Sequence, residues 1–268
     1  MKTKNQTIKI LIVLVLLFAG LQTTFAQTAA APDPGITVYQ YRRVSADKRD
    51  EFVKRETTYW AEIAKKAMAK GNLTFWALLE KVGGYDMESS SNFLFINSYK
   101  DIDKIGDVWS AAAITASFPN VTADKVETNS ISTTTSTFFL RDEDWQQAAT
   151  AVPDRDFNYV AMVYHNSSQP GNLIALEKKH WGPFIKGAMD KKQTTQMGWG
   201  NAIVLSPSGY NIHFTTVSYD LYSSLKEALN PTWDPKIVLP TDGLTEIGKT
   251  ETGRGGAVYH VVKAVNPN

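Results

Sequence analysis

Apolar and polar positions change period several times along the first hundred residues after position 35. ITVYQYRR (36–43) is rich in β-branched and aromatic residues and alternates as a strand does. From Phe52 to Lys70 the apolar residues return every three or four positions, the period of a helix with one buried face. LTFWALLEKV (73–82) and NFLFINSY (92–99) go back to strand-like composition, with the turn signals of GGYDMESSS between them. A weaker helical stretch (DIDKIGDVWSAA, 101–112) and a last strand (STFFLRD, 136–142) complete the series. SISTTTST (130–137) is expected to be an exposed strand or the approach to one.

The same series then repeats. FNYVAMVYH (157–165) predicts a strand, EKKHWGPFIKGAMDK (177–191) lies in a helix, and TTQMGWGNAIVL (194–205) and YNIHFTTVSY (210–219) predict strands joined by the SPSG turn. LYSSLKEAL (221–229) predicts a short helix, and the turn signal TGRGG precedes a closing strand, GAVYHVVKAV (256–265). The second helix echoes ETTYWAEIAKKAMAK (56–70) at an offset of 121, with six of fifteen positions identical. Each half thus reads β-α-β-β-α-β, a ferredoxin-like unit whose sheet carries both helices on one face. The first repeat spans 27–145, a charged, proline-marked linker 146–156, and the second repeat 157–268. This organisation resembles the dimeric α/β-barrel superfamily, with the two partners fused in tandem. The superfamily includes NIPSNAP-like, EthD-like and antibiotic-monooxygenase-like proteins, chlorite dismutases and dye-decolourising peroxidases. The resemblance implies an α+β fold, two ferredoxin-like repeats forming an intramolecular barrel-type pseudo-dimer, with ligands between sheet and helices of one unit.

The N-terminal 26 residues read as an address. Lys2, Lys4 and Lys9 precede the apolar run ILIVLVLLFAG, and Thr24 and Ala26 supply small residues for cleavage before Gln27. The run is shorter than the ~20 residues of a spanning helix, so no stable membrane span is expected after signal removal. A secreted or periplasmic protein is expected. Without the signal the chain holds 25 basic and 27 acidic residues and no basic run, which leaves no electrostatic footprint for nucleic acid. Zero cysteines exclude disulfides and thiol chemistry.

On a helical wheel Phe52, Val53, Trp60, Ile63 and Ala67 form one stripe with Glu56 inside it. Leu173, Ile174, Trp181, Phe184 and Ala188 form the matching stripe around Glu177. Tyr59 and His180 follow the two glutamates by three residues, a spacing that lets each pair meet on an α-helix. Glu177 and His180 are therefore the candidate general acid–base pair, since burial raises a carboxyl pKa and imidazole titrates near neutrality. The plainer alternative is that both glutamates only hydrogen-bond helix to sheet. Pro183 either kinks this helix or restarts it, and a restart would spoil the wheel for Glu177. Trp60, Trp76, Trp181 and Trp199 are candidate ligand walls or core aromatics. His213 is a candidate polar neighbour, pointing to either face of its strand. Of the four histidines (His165, His180, His213, His260), His180 and His213 are the candidates for a haem ligand or, with Glu177, a metal. No close ligand cluster or nucleophile motif is present, so no metal site is assigned and the cofactor is left unknown. The expected function is binding of a small apolar or aromatic molecule, with acid–base or cofactor-independent oxygenase chemistry. The alternatives are a non-catalytic binding or interaction protein and a haem or metal protein.

Overall fold

The computed structural model describes residues 35–85, 91–208 and 213–266, giving only the backbone for 84 and 85. The leader at 1–26, most of the turn at 86–90 and the start of the strand predicted at 210–219 lie outside the described residues.

The strands are β1 (Ile36–Arg43), β2 (Phe75–Tyr85), β3 (Phe93–Tyr99), β4 (Thr133–Gln147), β5 (Tyr159–Ser167), β6 (Gly198–Ser206), β7 (Thr216–Tyr222) and β8 (Glu251–Val265). All pairings between these strands are antiparallel, and they close a barrel in the order β1-β3-β2-β8-β5-β7-β6-β4. The long last strand of each half joins the halves, β4 pairing with β1 and β6, and β8 with β5 and β2. Neither half therefore leaves an open sheet edge. The chain has the α+β dimeric α/β-barrel architecture, with both partners in one polypeptide.

Side-chain alternation sorts the strand residues into two cores. Tyr39, Tyr41, Leu79, Leu94, Met162, Tyr164 and Val217 fill the barrel. Trp76, Leu78, Phe93 and Phe95 face outward under Phe52 and Ala64 of the first long helix. The strand registers superpose the halves: Arg42 opposes Phe93, and His165 opposes Thr216, at matching stations. By the same registers Trp76 matches Trp199, Leu78 matches Asn201, Phe95 matches Ser218 and Asn97 matches Asp220. Tyr41 matches Tyr164, and their hydroxyls meet at 3.0 Å inside the barrel.

Helix α1 runs through Arg49–Arg55, a π turn at Glu56–Trp60, and Ala61–Ala69. Four short helices follow: α2 (Ile105–Val108), α3 (Ala111–Ser117), α4 (Ala123–Val126) and α5 (Pro153–Asp156). Helix α6 repeats α1 as Pro170–Leu176, a π turn at Glu177–Trp181, and Gly182–Asp190. Helices α7 (Leu225–Leu229) and α8 (Thr241–Thr250) complete the second half.

Three expectations change. The stretch 146–156 begins inside β4 and contains α5, so the charged run RDEDWQQ is barrel strand before it is connection. TGRGG is no turn; it lies within β8, where Gly253 and Gly255 pair with Asn166 and Tyr164. Pro183 lies where one segment of α6 gives way to the next, and the helix is continuous through it. The Gly182 N–H bonds back to the Glu177 carbonyl, five residues away, and Pro183 falls in the first turn of the segment that follows. The same π turn forms in α1 without a proline, so the shared helix geometry is its setting rather than the ring.

Candidate functional site

Glu56 and Glu177 open their π turns and are buried, 3 % and 5 % exposed. Burial alone would drive both carboxyls toward the neutral form, and their partners differ. In the first half the Thr128 hydroxyl donates to Glu56 Oε1 at 2.6 Å. Arg42 Nη1 donates to Thr128 and to Ser132 Oγ, and its guanidinium lies 5.2 Å from the centre of the Phe95 ring. Desolvation still pushes Glu56 up to about 7 against the help of Thr128 and Arg42.

In the second half Asn201 Nδ2 donates to Glu177 Oε2 at 2.8 Å, and His165 Nε2 stands 3.8 Å from Glu177 Oε1. The same Nε2 is 2.8 Å from Ser218 Oγ, while Nδ1 is 2.6 Å from Glu251 Oε1. Burial opposes ionisation of Glu251, but hydrogen bonds from His165 and Arg254 hold it below the usual carboxylate range. Nδ1 therefore donates to a carboxylate, and Nε2 is directed at Ser218 and Glu177. Desolvation raises Glu177, offset in part by His165 and Asn201. Asp220, further along β7, is pushed up to about 7 by burial despite the Gln196 amide on its Oδ1.

The stations around these groups explain the asymmetry. Leu78 and Phe95 pack the first seam; Asn201 and Ser218 replace them in the second, leaving a polar set beneath α6. Asn201 Oδ1 and Thr216 Oγ1 there are buried with no hydrogen-bond partner. Among the described residues no group of three or more His, Cys, Asp or Glu is placed to hold a metal ion.

The pairing of Glu177 with His180 does not form. A π turn advances less per residue than an α turn, so the residue three positions on no longer stacks over the first. His180 instead packs against Gly243 of α8 and sets Nε2 3.2 Å from Glu246 Oε2. Tyr59 likewise turns from Glu56 and meets Phe118 edge-on at 5.1 Å. His213 is exposed in a bend ahead of β7 and is not part of the strand, because the alternation breaks between Phe214 and Val217, which both face the barrel. Trp76 and Trp199 are each 1 % exposed. Trp199 closes on Gly182, where a Cβ would come within 3.4 Å of its ring. Trp60 donates Nε1 to the Val126 carbonyl and packs on Trp109; Trp181 packs on Phe184 and Trp233. The four tryptophans serve helix packing here. His165, Asn201 and Ser218 were missed because they approach from strands. The outward alternation of Ala161, Val163 and His165 was the available signal.

No protein-family model matches the chain, and no curated protein is similar to it in sequence. Solved structures share its fold. An anthrone oxidase-like protein is 14% identical, with a TM-score of 0.54, over 88% of this chain and 94% of its own. A candidate monooxygenase from Lactobacillus acidophilus NCFM is 12% identical, with a TM-score of 0.51, over 87% and 96%. Another from Fusobacterium nucleatum subsp. nucleatum ATCC 25586 is 12% identical, with a TM-score of 0.53, over 86% and 93%.

Proposed function

We propose that this protein binds a small, mainly apolar or aromatic molecule and performs cofactor-independent, oxygenase-like chemistry begun by proton transfer at the second-half seam. The observation that carries this reading is the replacement of Leu78 and Phe95 by Asn201 and Ser218 around a Glu177–His165 pair. Packing alone favours the apolar set, so the polar one is an expense without structural return. The names of the similar structures support the reaction class.

In the proposed step Glu177, as carboxylate, takes a proton from an activated methylene of the substrate, and His165 holds the charge balance from the other side. The carbanion gives two electrons to dioxygen, forming a C–O bond; loss of water then leaves a carbonyl, so CH2 and O2 become C=O and H2O. Burial of the pair supports a second reading, binding without turnover. Export through the 1–26 leader belongs to the same proposal, and the mass of the secreted chain, beginning at Gln27 if cleaved as expected, checks it.

Oxygen uptake with anthrone as the probe separates the two readings. Turnover that falls ~100-fold or more in Glu177→Gln, the scale of a lost general base, supports the first. Uptake by wild type that is indifferent to this change removes Glu177 from the chemistry.

A further inference from the structure

The packed cluster around Tyr41, Tyr164 and Tyr259 does not extend to both ends of the barrel. A cavity of about 740 Å³ opens at one end, large enough for a drug-sized molecule. Its walls include Ala77, Leu79, Ile96, Val160, Met162 and Leu221. Thr74, Asp154, Lys263 and Asn266 stand exposed at the rim. Trp145, 45 % exposed, stacks on Tyr219 at 6.1 Å and meets Phe157 edge-on at 5.8 Å. None of the residues around Glu177 lines this space.

One wall breaks the internal symmetry. On β1 and β3, Thr37 and Ser98 face each other with hydroxyl oxygens 2.8 Å apart, and Thr37 donates to Asp142 Oδ2 at 2.5 Å. The matching stations in the other half, read from the strand registers, are Val160, Leu221 and Val261. The fold thus tolerates a fully apolar set at these positions. Yet one half places there a carboxyl with no basic partner among the described residues. Asp142 Oδ1 accepts no hydrogen bond from the described residues, and the part-exposed residue lines the cavity. Tyr39 and Tyr219 line the same space, and neither hydroxyl is hydrogen-bonded within the described residues. Burial raises Asp142 above its ordinary value against the Thr37 hydrogen bond, and burial together with the Asp142 charge raises both phenols well above theirs, so the hydroxyls keep their protons.

We infer that the barrel cavity is a second binding site, for an apolar, ring-sized molecule carrying one carbonyl or hydroxyl oxygen, which Asp142, Tyr39 and Tyr219 hold at the inner wall. The aromatic rim of Trp145 and Phe157 covers the ring. The inference stands apart from chemistry at the second-half seam and survives its failure.

Equilibrium dialysis against 2-naphthol and naphthalene tests it. The expected result is saturable binding of one 2-naphthol per chain, with naphthalene about tenfold weaker, the scale of one lost hydrogen bond in a dry site. Asp142→Val, which installs the residue of the other half, removes that preference while naphthalene binding stays. Ile96→Trp fills the cavity and abolishes both; Ala77→Leu serves the same purpose should circular dichroism show that the larger change unfolds the chain. Glu177→Gln leaves 2-naphthol binding as in wild type. No saturable binding, binding that survives the filled variant that folds, or a preference unchanged in Asp142→Val overturns the inference. Loss of binding in Glu177→Gln assigns the compound to the seam and overturns it as well.

Discussion

In the first half, Arg42 faces Glu56 across a seam packed with Leu78 and Phe95; in the second, His165 faces Glu177 across Asn201 and Ser218. Backbone, π turn and the buried tryptophan at 76 or 199 are common to both. A permanent cation over an aromatic ring gives the first half a fixed electrostatic partner, since guanidinium keeps its proton at any physiological pH. In the second half the acid's neighbours are an imidazole and an amide, neither of them a permanent cation. Duplication has kept the acid and altered its surroundings. The first half reads as scaffold and the second as the half able to move protons.

The largest effect expected from this contrast concerns stability against pH. Glu56 and Asp220 both have folded pKa values of about 7, above the 4.5 and 3.8 of their unfolded forms. Below about pH 4 both states bind these protons and nothing is lost. Between about 4 and 7 the unfolded chain releases them while the folded one keeps them, so folding stability declines as pH rises and levels off above 7. For Glu56 the ceiling is about 3 kcal/mol, from ~1.4 kcal/mol per pKa unit. Urea unfolding at pH 5 and pH 8 should show a smaller difference in Glu56→Gln than in wild type. An unchanged difference would mean that Arg42 already holds Glu56 ionised, and the first half would be a plain ion pair.

How far this arrangement was legible in sequence depends on which interactions are local. Strand alternation and the helical repeat carry the order of elements and the burial of both glutamates, because each depends on residues a few positions apart; the fused barrel, closed by pairing β2 with β8 and β4 with β6, was reached only through the superfamily resemblance. The π turn left no mark, since its apolar stripe is the one an α-helix would also show. With that turn unseen, His180 was placed beside Glu177 and His165, twelve residues upstream on β5, was not. Asp142 was hidden differently. It closes the predicted strand STFFLRD, in a stretch dense in charge, and Phe138, Leu140 and Asp142 keep period two into the barrel. That alternation could have marked Asp142 as inward-facing; no local pattern could have shown that its counterpart is a valine.

A second, intermediate effect separates the halves through α8, which has no counterpart as long in the first half. A Cβ on Gly243 would sit 2.5 Å from His180 Cγ, so Gly243→Ala must push the ring or the helix aside. The expected cost is about 1–3 kcal/mol, the range for overpacking a well-filled contact. In a His180→Gly background the ring and its Cβ, which would itself lie 2.6 Å from the new methyl, are both gone, and the same change should cost little; a double-mutant cycle in urea would read this as a coupling of the same size. Additive costs would show that His180 already moves freely, and that α8 is held by other contacts.

The smallest effect is the most direct test of which histidine serves the second half. His180→Ala by itself removes a partly exposed pair with Glu246, whose carboxylate is half in solvent, so its effect on stability should stay below about 1 kcal/mol. Turnover of anthrone, if present in wild type, should persist at a comparable rate, because His180 faces α8 rather than Glu177. His165→Gln should lower it, since the amide keeps a donor toward Ser218 or Glu251 but loses the electrostatic help that His165 gives Glu177. Measuring the two variants side by side, with oxygen uptake followed from pH 5 to pH 9, assigns the proton-handling role. A collapse in His180→Ala with His165→Gln intact would return the role to the π-turn histidine, and would require α6 to rewind from π to α geometry when substrate binds.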